Sequence, residues 1–408
     1  MSKWEEKRLE DIIDVNPPVK LKKGESYPFI DIDKVSPTRR SVTNEEVKVY
    51  DGQSSSKFCD GDTVFSRITP CLENRKIAKV AIEGDAAFGS TEFYVFRAKK
   101  KKADARFTYY LTSSDAVVLP AINSMTGASG RQRADKRFIQ RLKLNLPDLP
   151  TQERIADILS AYDDLIEANN RRIELLEQAT QELYREWFVR FRFPGYENAK
   201  FEDGLPENWS YVRFGKAIEI IDGDRGVNYP KQEEFYPEGD CLFLNAGNVT
   251  AKGFDFSSCS YITKEKDAIL RKGKLQHGDV VLTTRGTVGN VAFYNETMTF
   301  SEMRINSGMV ILRNLGVVST EYIYTALRHE YLQKLMTLYA SGSAQPQLPI
   351  KDMKRIKIIK PDAKTMERFT EMSADIYNQI SLLIMKNQTL AKQRDMLLPR
   401  LMSGKLEV

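Results

Sequence analysis

The 408-residue chain is 41% hydrophobic, 29% charged and carries a net charge of +5, an ordinary balance that leaves room for two or three domains and excludes a mostly disordered protein. No apolar run approaches the ~20 residues that cross a bilayer, and the N-terminus lacks a signal-peptide core, so we expect a cytoplasmic protein. The four cysteines have no CxxC spacing and there are two histidines, so we expect no metal site.

Residues 1–147 form the first predicted domain. Its short β-branched segments TVFSRI, IAKVAI and FYVFR are separated by Gly, Asp or Asn, which is typical of strands. Residues 107–122 have a helical period, so the domain is predicted to be α+β. It holds 27 Lys and Arg against 20 Asp and Glu, a surplus that by itself favours a nucleic-acid-binding face only weakly.

One motif in the first domain suggests catalysis. Asn16, Pro17, Pro18 and Val19 resemble the NPP-aromatic motif of adenine methyltransferases, in which the aromatic residue stacks on an extruded base. Val19 cannot supply that stack, and no glycine-rich turn after a strand offers a site for S-adenosylmethionine. A proline-rich turn after the first helix explains the motif better.

Polar residues near the end of the first domain are candidates for DNA contacts. Arginine can pair with guanine and glutamine with adenine, while serine suits phosphate. A solvated loop is the alternative, and the lysines at 99–102 are better explained by an exposed turn or a phosphate contact. The candidates are Arg67, after the strand that begins GDTVF, and Ser129, Arg131, Gln132 and Arg133 in the segment SGRQR.

Residues 148–192 are predicted to form the first long helix, with Asp148 at its N-cap. An apolar stripe follows a strict 4,3 spacing, which is typical of a coiled-coil seam. A core helix inside an ordinary domain is the alternative, but such helices are rarely so long with so narrow a stripe. The seam contains Ile155, Leu159, Tyr162, Ile166, Asn169, Ile173, Leu176, Thr180, Leu183 and Trp187.

Residues 193–361 form the second predicted domain, with strands in DVVLTT, NVAFYN and MVILR and a helical period at 321–336. The loop DGDRG lacks the ligand spacing of an EF-hand, so we interpret it as a glycine-turned loop that presents Arg225 to DNA, with a structural turn as the alternative. Arg285 follows the second GD strand, in a position that we match to Arg67. The segment SAQPQ supplies the further candidates Ser343, Gln345 and Gln347.

Residues 362–408 are predicted to form the second long helix, with Asp362 at its N-cap. Its apolar stripe has the same 4,3 spacing and the same phase as the first. The seam contains Phe369, Ser373, Ile376, Ile380, Leu383, Asn387, Leu390, Arg394, Leu397 and Leu401.

The chain is an internal repeat. GDTVFSRITP resembles GDVVLTTRGT, TEFYVFR aligns with SGMVILR, and the two long helices match at an offset of 214. A pseudo-two-fold axis between the copies would make the helices antiparallel, so that the numbers of partner residues sum to a constant, 556 for the centres of these seams. The predicted partners are Ile155 with Leu401, Ile166 with Leu390, Asn169 with Asn387, Ile173 with Leu383, and Trp187 with Phe369.

This arrangement resembles the specificity subunits of type I restriction–modification systems. The resemblance rests on TGASGRQRADKRFIQRLKLNLPDLPTQERIADILSAYDDLIEANN, then IIDGDRGVNYPKQEEF, then the second helix, and it covers nearly the whole chain. It implies an α+β fold of two tandem target recognition domains separated by two long antiparallel coiled-coil helices. In that family each domain reads one half of a bipartite site in double-stranded DNA, and the helices set the spacing.

The resemblance also implies partners. Two methyltransferase subunits are expected to dock on the outer faces of the helices, where DILSAYDDLIEANN supplies acidic residues, and endonuclease subunits are expected to join them. S-adenosylmethionine, ATP and Mg²⁺ are then expected only in those partners, and this chain alone is expected to have no catalytic residues. Two alternatives remain: a structural coiled-coil scaffold without sequence-specific DNA binding, and a methyltransferase with a degraded motif.

Overall fold

The computed structural model describes residues 4–37, 39–43, 46–300, 302–342 and 346–408. It divides into two compact units, Met1–Ile166 with Leu390–Val408, and Glu167–Thr389. Each unit contains a mixed α+β domain and a part of both long helices, Leu149–Tyr184 and Ala363–Met402. Within the described ranges, no helix is both long enough and apolar enough to span a bilayer.

The first unit is built on two sheets and a separate strand pair. The strands are β1 (Trp4–Arg8), β2 (Ile13–Val15), β3 (Ser26–Ile30), β4 (Ser41–Thr43), β5 (Glu46–Val49), β6 (Ser56–Phe58), β7 (Thr63–Ser66), β8 (Ile77–Ala81), β9 (Ala87–Gly89), β10 (Phe93–Ala98) and β11 (Lys143–Pro147). One sheet has the order β2-β10-β7-β8-β4, the other has the order β5-β3-β9-β6, and β1 pairs antiparallel with β11. All four residues of β7 are buried, because the sheet is covered on both faces.

Short helices pack on these sheets before the chain enters the long helix. They are α1 (Leu9–Ile12), α2 (Ala105–Ser113), α3 (Asp115–Asn123) and α4 (Lys136–Gln140), followed by α5 (Leu149–Tyr184). The helical period predicted at 107–122 is confirmed, but it corresponds to two helices, because the helix is broken at Ser114. That residue has an extended backbone, with φ −77° and ψ 159°, and its hydroxyl donates to the carbonyl of Leu111 at 2.7 Å.

The second unit repeats this topology. Its strands are β12 (Phe201–Glu202), β13 (Leu205–Pro206), β14 (Ser210–Arg213), β15 (Ile218–Asp222), β16 (Cys241–Leu244), β17 (Val249–Thr250), β18 (Gly253–Phe254), β19 (Tyr261–Ile262), β20 (Asp279–Thr283), β21 (Val291–Tyr294), β22 (Met303–Ile305), β23 (Met309–Asn314) and β24 (Lys357–Lys360). The order β15-β23-β20-β21 corresponds to β2-β10-β7-β8, and the pair β14-β24 corresponds to β1-β11. The parallel pair β16-β22 likewise corresponds to β3-β9.

The helices of the second unit show the same break. After a π-helical turn at Arg185–Val189 they are α6 (Phe214–Ala217), α7 (Lys264–Ile269), α8 (Thr320–Arg328), α9 (Glu330–Tyr339), α10 (Ile350–Met353) and α11 (Ala363–Met402). The helix predicted at 321–336 is interrupted at His329, whose backbone is extended and whose ring Nδ1 accepts the N–H of Tyr331 at 3.3 Å. In both copies a single extended residue ends one helix and stands at the N-cap position of the next.

An ion pair between a buried aspartate and a half-buried arginine holds the same turn in both units. Arg97 donates from Nε and Nη2 to the two carboxylate oxygens of Asp62 at 2.7 and 2.6 Å, and Arg313 donates to Asp279 at 2.9 and 2.8 Å. Each aspartate also accepts the backbone N–H of the residue three positions earlier. The GD motif and the arginine near the end of the paired strand recur in the sequence because together they fix this turn.

Both long helices begin at the predicted caps. Asp148 accepts the N–H of Thr151 at 3.1 Å, and Asp362 accepts the N–H of Thr365 at 3.0 Å. Asp362 also accepts the indole N–H of Trp209 at 2.9 Å. The N-cap prediction is therefore confirmed for both helices.

Candidate nucleic-acid interface

In the first unit a hairpin between Thr126 and Arg133 lies against the segment that follows β7. The two residues exchange backbone hydrogen bonds of 3.1 and 2.9 Å, and Arg133 also forms an antiparallel bridge with Ile68. The carbonyl of Gln132 accepts the N–H two positions after Arg67 at 3.0 Å, and the carbonyl of Arg67 accepts the N–H that follows Arg133 at 2.8 Å. These bonds bring Arg67 together with two other predicted DNA-contacting residues, Gln132 and Arg133, which lie 65 and 66 positions later in the sequence.

The guanidinium groups of Arg67 and Arg133 share one carboxylate, that of Glu92. Arg133 donates to it from Nε at 2.9 Å and from Nη2 at 2.6 Å, and Arg67 donates from Nε at 3.2 Å. The hydrogen bonds from Arg133 chiefly hold the pKa of Glu92 below its usual value, while partial burial opposes that shift. Arg67 also lies over the ring of Tyr94, 5.5 Å from its centroid. Both arginines are thus fixed in place.

Ser129 and Arg131 lie at the tip of this hairpin, where both are exposed. The glycines beside them, Gly127 and Gly130, have φ of 125° and 77°, a backbone region that glycine adopts without strain. The predicted segment SGRQR therefore divides into a tip that faces solvent and a base that is bonded to the strand end.

The second unit has a matching hairpin. Gln347 exchanges backbone hydrogen bonds of 2.9 and 2.8 Å with Ser341 and forms an antiparallel bridge with Arg285. Gln347 is exposed and Arg285 is half-buried. The other two predicted contacts in the segment SAQPQ, Ser343 and Gln345, lie outside the described residues.

The match of Arg67 with Arg285 is wrong by one residue. The N–H of Arg67 donates to the carbonyl of Glu92 at 2.9 Å, and in the second unit the N–H of Thr284 makes the same bond to Gly308, also at 2.9 Å. Arg285 therefore corresponds to the residue after Arg67. Since successive side chains in extended backbone point to opposite faces, the two arginines do not project in equivalent directions.

The DGDRG loop brings Arg225 to the same region of the second unit. Arg225 Nη2 donates to Asp222 at 3.1 Å and to the carbonyl of Ser307 at 3.3 Å. Asp224 is buried and accepts the backbone N–H groups of Arg225 and Arg271 at 2.7 and 2.6 Å. Burial would raise the pKa of Asp224, but these backbone hydrogen bonds outweigh it and lower the pKa. The loop is a hydrogen-bonded turn that leaves the arginine exposed.

The predicted helix interface is also present within each unit. In the first unit Ile155, Leu159 and Leu401 are fully buried in the core, and Ile166 and Leu390 are half-buried. In the second unit Asn169 Nδ2 donates to Asn387 Oδ1 at 2.8 Å, and the rings of Trp187 and Phe369 lie 6.0 Å apart. The remaining predicted residues, which pack in the same core of the second unit, are Ile173, Ile380 and Leu383.

The expectation that the acidic residues of DILSAYDDLIEANN face a partner is wrong for Asp163. This residue is buried, and its carboxylate binds the hydroxyl of Tyr110 and the guanidinium of Arg394. A buried carboxylate needs such partners, because desolvation without them is costly. Asp157 on the same helix is exposed, but it also pairs with Arg106 at 2.6 Å.

Sequence reasoning missed Glu92, the acid between the two arginines of the first unit. The signal was present in the repeat, because the alignment of TEFYVFR with SGMVILR sets Glu92 opposite Gly308. The sequence therefore has an acidic residue at this position in only one of the two copies, and this difference indicates a distinct role for Glu92. No group of His, Cys, Asp or Glu suited to a metal ion occurs in the part of the chain that the structure describes.

The arrangement offers guanidinium, amide and hydroxyl groups on short, well-fixed segments. Such groups can pair with base edges in the major groove and with phosphate oxygens. The hairpin and strand end recur in both units, so each unit carries its own candidate interface. The chemistry of these groups is therefore that of binding to nucleic acid.

The family model described as type I restriction modification DNA specificity domain matches residues 1–178 and 206–389. The type I restriction enzyme MjaIX specificity subunit of Methanocaldococcus jannaschii is 23% identical over 423 residues, which cover 99% of this chain and 94% of that protein. The HindI specificity subunit of Haemophilus influenzae is 24% identical over 427 residues, which cover 88% of this chain and 90% of the relative.

A solved structure shows the same fold. The S subunit of a type I restriction–modification system from M. genitalium aligns with 98% of this chain and with 96% of its own length, at 14% identity and a TM-score of 0.53. At that identity the likeness concerns the fold alone.

Proposed function

This chain belongs to the type I restriction–modification DNA specificity family, and from that premise we propose that its two units read the two halves of one bipartite site in double-stranded DNA. The protein is a sequence-specific DNA-recognition subunit. That each unit recognises one half of the site is our proposal. The observation that carries it is the recurring hairpin, which sets Arg133 beside Arg67 in one unit and Gln347 beside Arg285 in the other.

Paired substitutions test this division. In R67A/R133A, discrimination at the first half-site should fall on the order of tenfold for each lost base contact, with the second half unaffected. In R285A/Q347A the loss should fall on the second half alone. Binding of the full-length chain to duplexes altered in one half provides the measurement, and K143A, which removes an exposed cation of β11, is the control. If each double variant affected both halves equally, the division of reading would be refuted.

We also propose that the long helices dock two methyltransferase subunits, to which endonuclease subunits are added. Apolar side chains remain exposed on these helices, and in the second unit Leu175 and Leu382 are 49% and 56% exposed. Neither leucine belongs to the apolar seam of its helix, so both side chains remain accessible to a partner. The variant L175E/L382E should lose co-purification with the methyltransferase, whereas the exposed-residue control Q178E should retain it. Full retention in both variants would contradict this docking surface.

We propose, finally, that the chain is not catalytic by itself and that S-adenosylmethionine, ATP and Mg²⁺ bind the partner subunits. The side chain of Asn16, the first residue of the methyltransferase-like motif, supports this. Its Oδ1 accepts the N–H of Val95 at 2.9 Å while its own N–H donates to the carbonyl of Val95 at 2.7 Å. The amide oxygen therefore continues the sheet ladder and is already engaged by the backbone. Methyl transfer by the purified chain alone would overturn this proposal.

A further inference from the structure

We propose that Glu92 is a positioning residue that sets the specificity of the first recognition surface. It holds Arg67 and Arg133 in fixed positions and weakens their attraction for phosphate outside the cognate site. This inference rests on the proposed function of the same surface, because it assigns a role to a residue that touches the two arginines.

The geometry of the cluster supports a positioning role. The fork of Arg133 bonds the Glu92 carboxylate through two nitrogens, at 2.9 and 2.6 Å, and Arg67 bonds one of the same oxygens at 3.2 Å. The side chain of Glu92 is 20% exposed, so its charge lies at the surface and is not sealed in the core. A charge-assisted, bidentate pair restricts the guanidinium more strongly than a single hydrogen bond does.

The second unit has neither this acid nor the two arginines that it binds. At the position of Glu92 it has Gly308, whose carbonyl accepts the N–H of Arg285 at 3.2 Å. The Nε of Arg285 is buried and lacks a hydrogen-bond partner among the described residues. Thr284 and Gln347 stand at the positions of Arg67 and Arg133, so the acid and the two arginines that it binds occur together in the first unit and are all replaced in the second.

The acid changes which ligands the arginines can accept. A phosphate offers hydrogen-bond acceptors alone, so on approaching Arg133 it meets the negative charge of Glu92 at close range. A base-pair edge in the major groove offers acceptors beside an amino-group donor, and it can satisfy arginine and glutamate together. Glu92 therefore favours base edges over backbone phosphate, and this is the basis of specificity in a protein that must ignore most DNA.

Three variants of the full-length chain separate this role from a merely structural one. E92Q keeps the shape of the side chain and removes its charge, while E92D restores the charge on a shorter stem. G308E adds the acid to the second unit. An added Cβ there would lie 3.9 Å from Arg285 Cβ, an ordinary contact, and 3.3 Å from Asn306 Oδ1, which must move by a few tenths of an ångström.

The probes are a duplex that carries the site mapped by methylation in the host, and duplexes with the first or the second half scrambled, titrated over a range of KCl concentrations. For E92Q we expect binding to the duplex scrambled in the first half to tighten on the order of tenfold, with the slope of log K against log salt steeper by about one. E92D should return both quantities toward the wild-type values. G308E should weaken binding to the duplex scrambled in the second half and make the slope shallower by about one.

The outcomes distinguish this inference from the proposed function. If R133A loses discrimination at the first half-site while E92Q changes neither the salt slope nor the ratio of affinities, the surface reads DNA and the role of Glu92 is refuted. If R133A leaves both affinities unchanged, the proposed function of this surface fails, and the inference fails with it. If E92Q does not fold, as judged by its thermal unfolding, G308E decides the question, because it adds the acid instead of removing it.

Discussion

Asn169 and Asn387 face each other across the two long helices, with Asn169 Nδ2 donating to Asn387 Oδ1 at 2.8 Å. Asn387 in turn donates from its Nδ2 to Asn170 Oδ1 at 2.9 Å. The numbers of the facing pair sum to 556, and so do those of Trp187 and Phe369, whose rings lie 6.0 Å apart. The antiparallel register predicted from the repeat is therefore confirmed within the second unit.

Replacement of both asparagines tests what this pair contributes. A lone N169L should destabilise the second unit by ~1 to 3 kcal/mol, because the amide of Asn387 would lose a partner. The double variant N169L/N387L should be at least as stable as the wild type, since it extends the apolar seam, but its register should be less well defined. Urea unfolding gives the stabilities. Cysteine cross-linking between positions whose numbers sum to 556 reports the predicted register, and cross-linking between positions one turn away reports a shifted register. If the double variant cross-linked only at the pairs that sum to 556, the asparagines would not be what fixes the register.

The sequence was sufficient to predict this register because a coiled-coil seam is a local, periodic signal. It also predicted both N-caps, since capping depends on one side chain and the next three residues. It could not predict that Asp163 is buried, because the partners Tyr110 and Arg394 lie far away in the chain. The one-residue error in matching Arg67 to Arg285 was avoidable, because the alignment of GDTVFSRITP with GDVVLTTRGT already sets Arg67 opposite Thr284.

The repeated Asp–Arg pair should contribute strongly to stability. Asp62 is 2% exposed and holds the half-buried Arg97 by two hydrogen bonds, so D62A should cost ~1 to 3 kcal/mol. Glu6, which pairs with Lys143 at 2.8 Å, provides a control in the same unit. The side chains of Glu6 and Lys143 are both more than 60% exposed, so E6A should change the free energy of unfolding by less than ~1 kcal/mol. Equal effects of D62A and E6A on the urea midpoint would contradict the role of the pair.

Asp362 should make stability depend on acid pH. Burial would raise its pKa, but the hydrogen bonds from Thr365 and Trp209 outweigh burial and lower the pKa below the ordinary 3.8. A carboxyl with a lowered folded-state pKa stabilises the protein at pH values above its unfolded pKa, and this contribution is lost as the pH falls through the folded value. The urea midpoint of D362N should therefore be lower than that of the wild type at pH 7. The further decrease of the midpoint between pH 4 and more acidic solution should be smaller in D362N than in the wild type. If D362N and the wild type lost the same amount of stability between pH 4 and more acidic solution, another group would be responsible for the pH dependence.

Exchange of residues 1–147 for the first domain of another family member should change one half of the recognised site and leave the other half intact. The structure adds a condition, because the first domain is bonded to the helices through Tyr110 with Asp163 and through Arg106 with Asp157. The donor domain should therefore supply a tyrosine and an arginine at the equivalent positions. Methylated sites mapped before and after the exchange give the result. A change in both halves would refute the hypothesis that each domain recognises its half-site independently.

The last prediction concerns the spacing between the half-sites, which we expect the helices to set. One added helical residue advances the chain by ~1.5 Å and turns it by about 100°, so seven residues add ~10.5 Å and return close to the starting direction. Because paired positions sum to 556, an insertion between Ile166 and Glu167 has to be matched by one between Thr389 and Leu390 to preserve the seam on both sides.

With both seven-residue insertions, the recognised halves should stay the same and the gap should lengthen by about 3 base pairs, at ~3.4 Å per pair. An insertion in α5 alone should shift Asn169 away from Asn387 and destabilise the protein, and a matched three-residue insertion should be inactive, because it turns the seam by about 300°. Mapping of methylated sites in cells that carry each variant provides the measurement. An active variant with both long insertions and an unchanged gap would show that the helices are not the ruler.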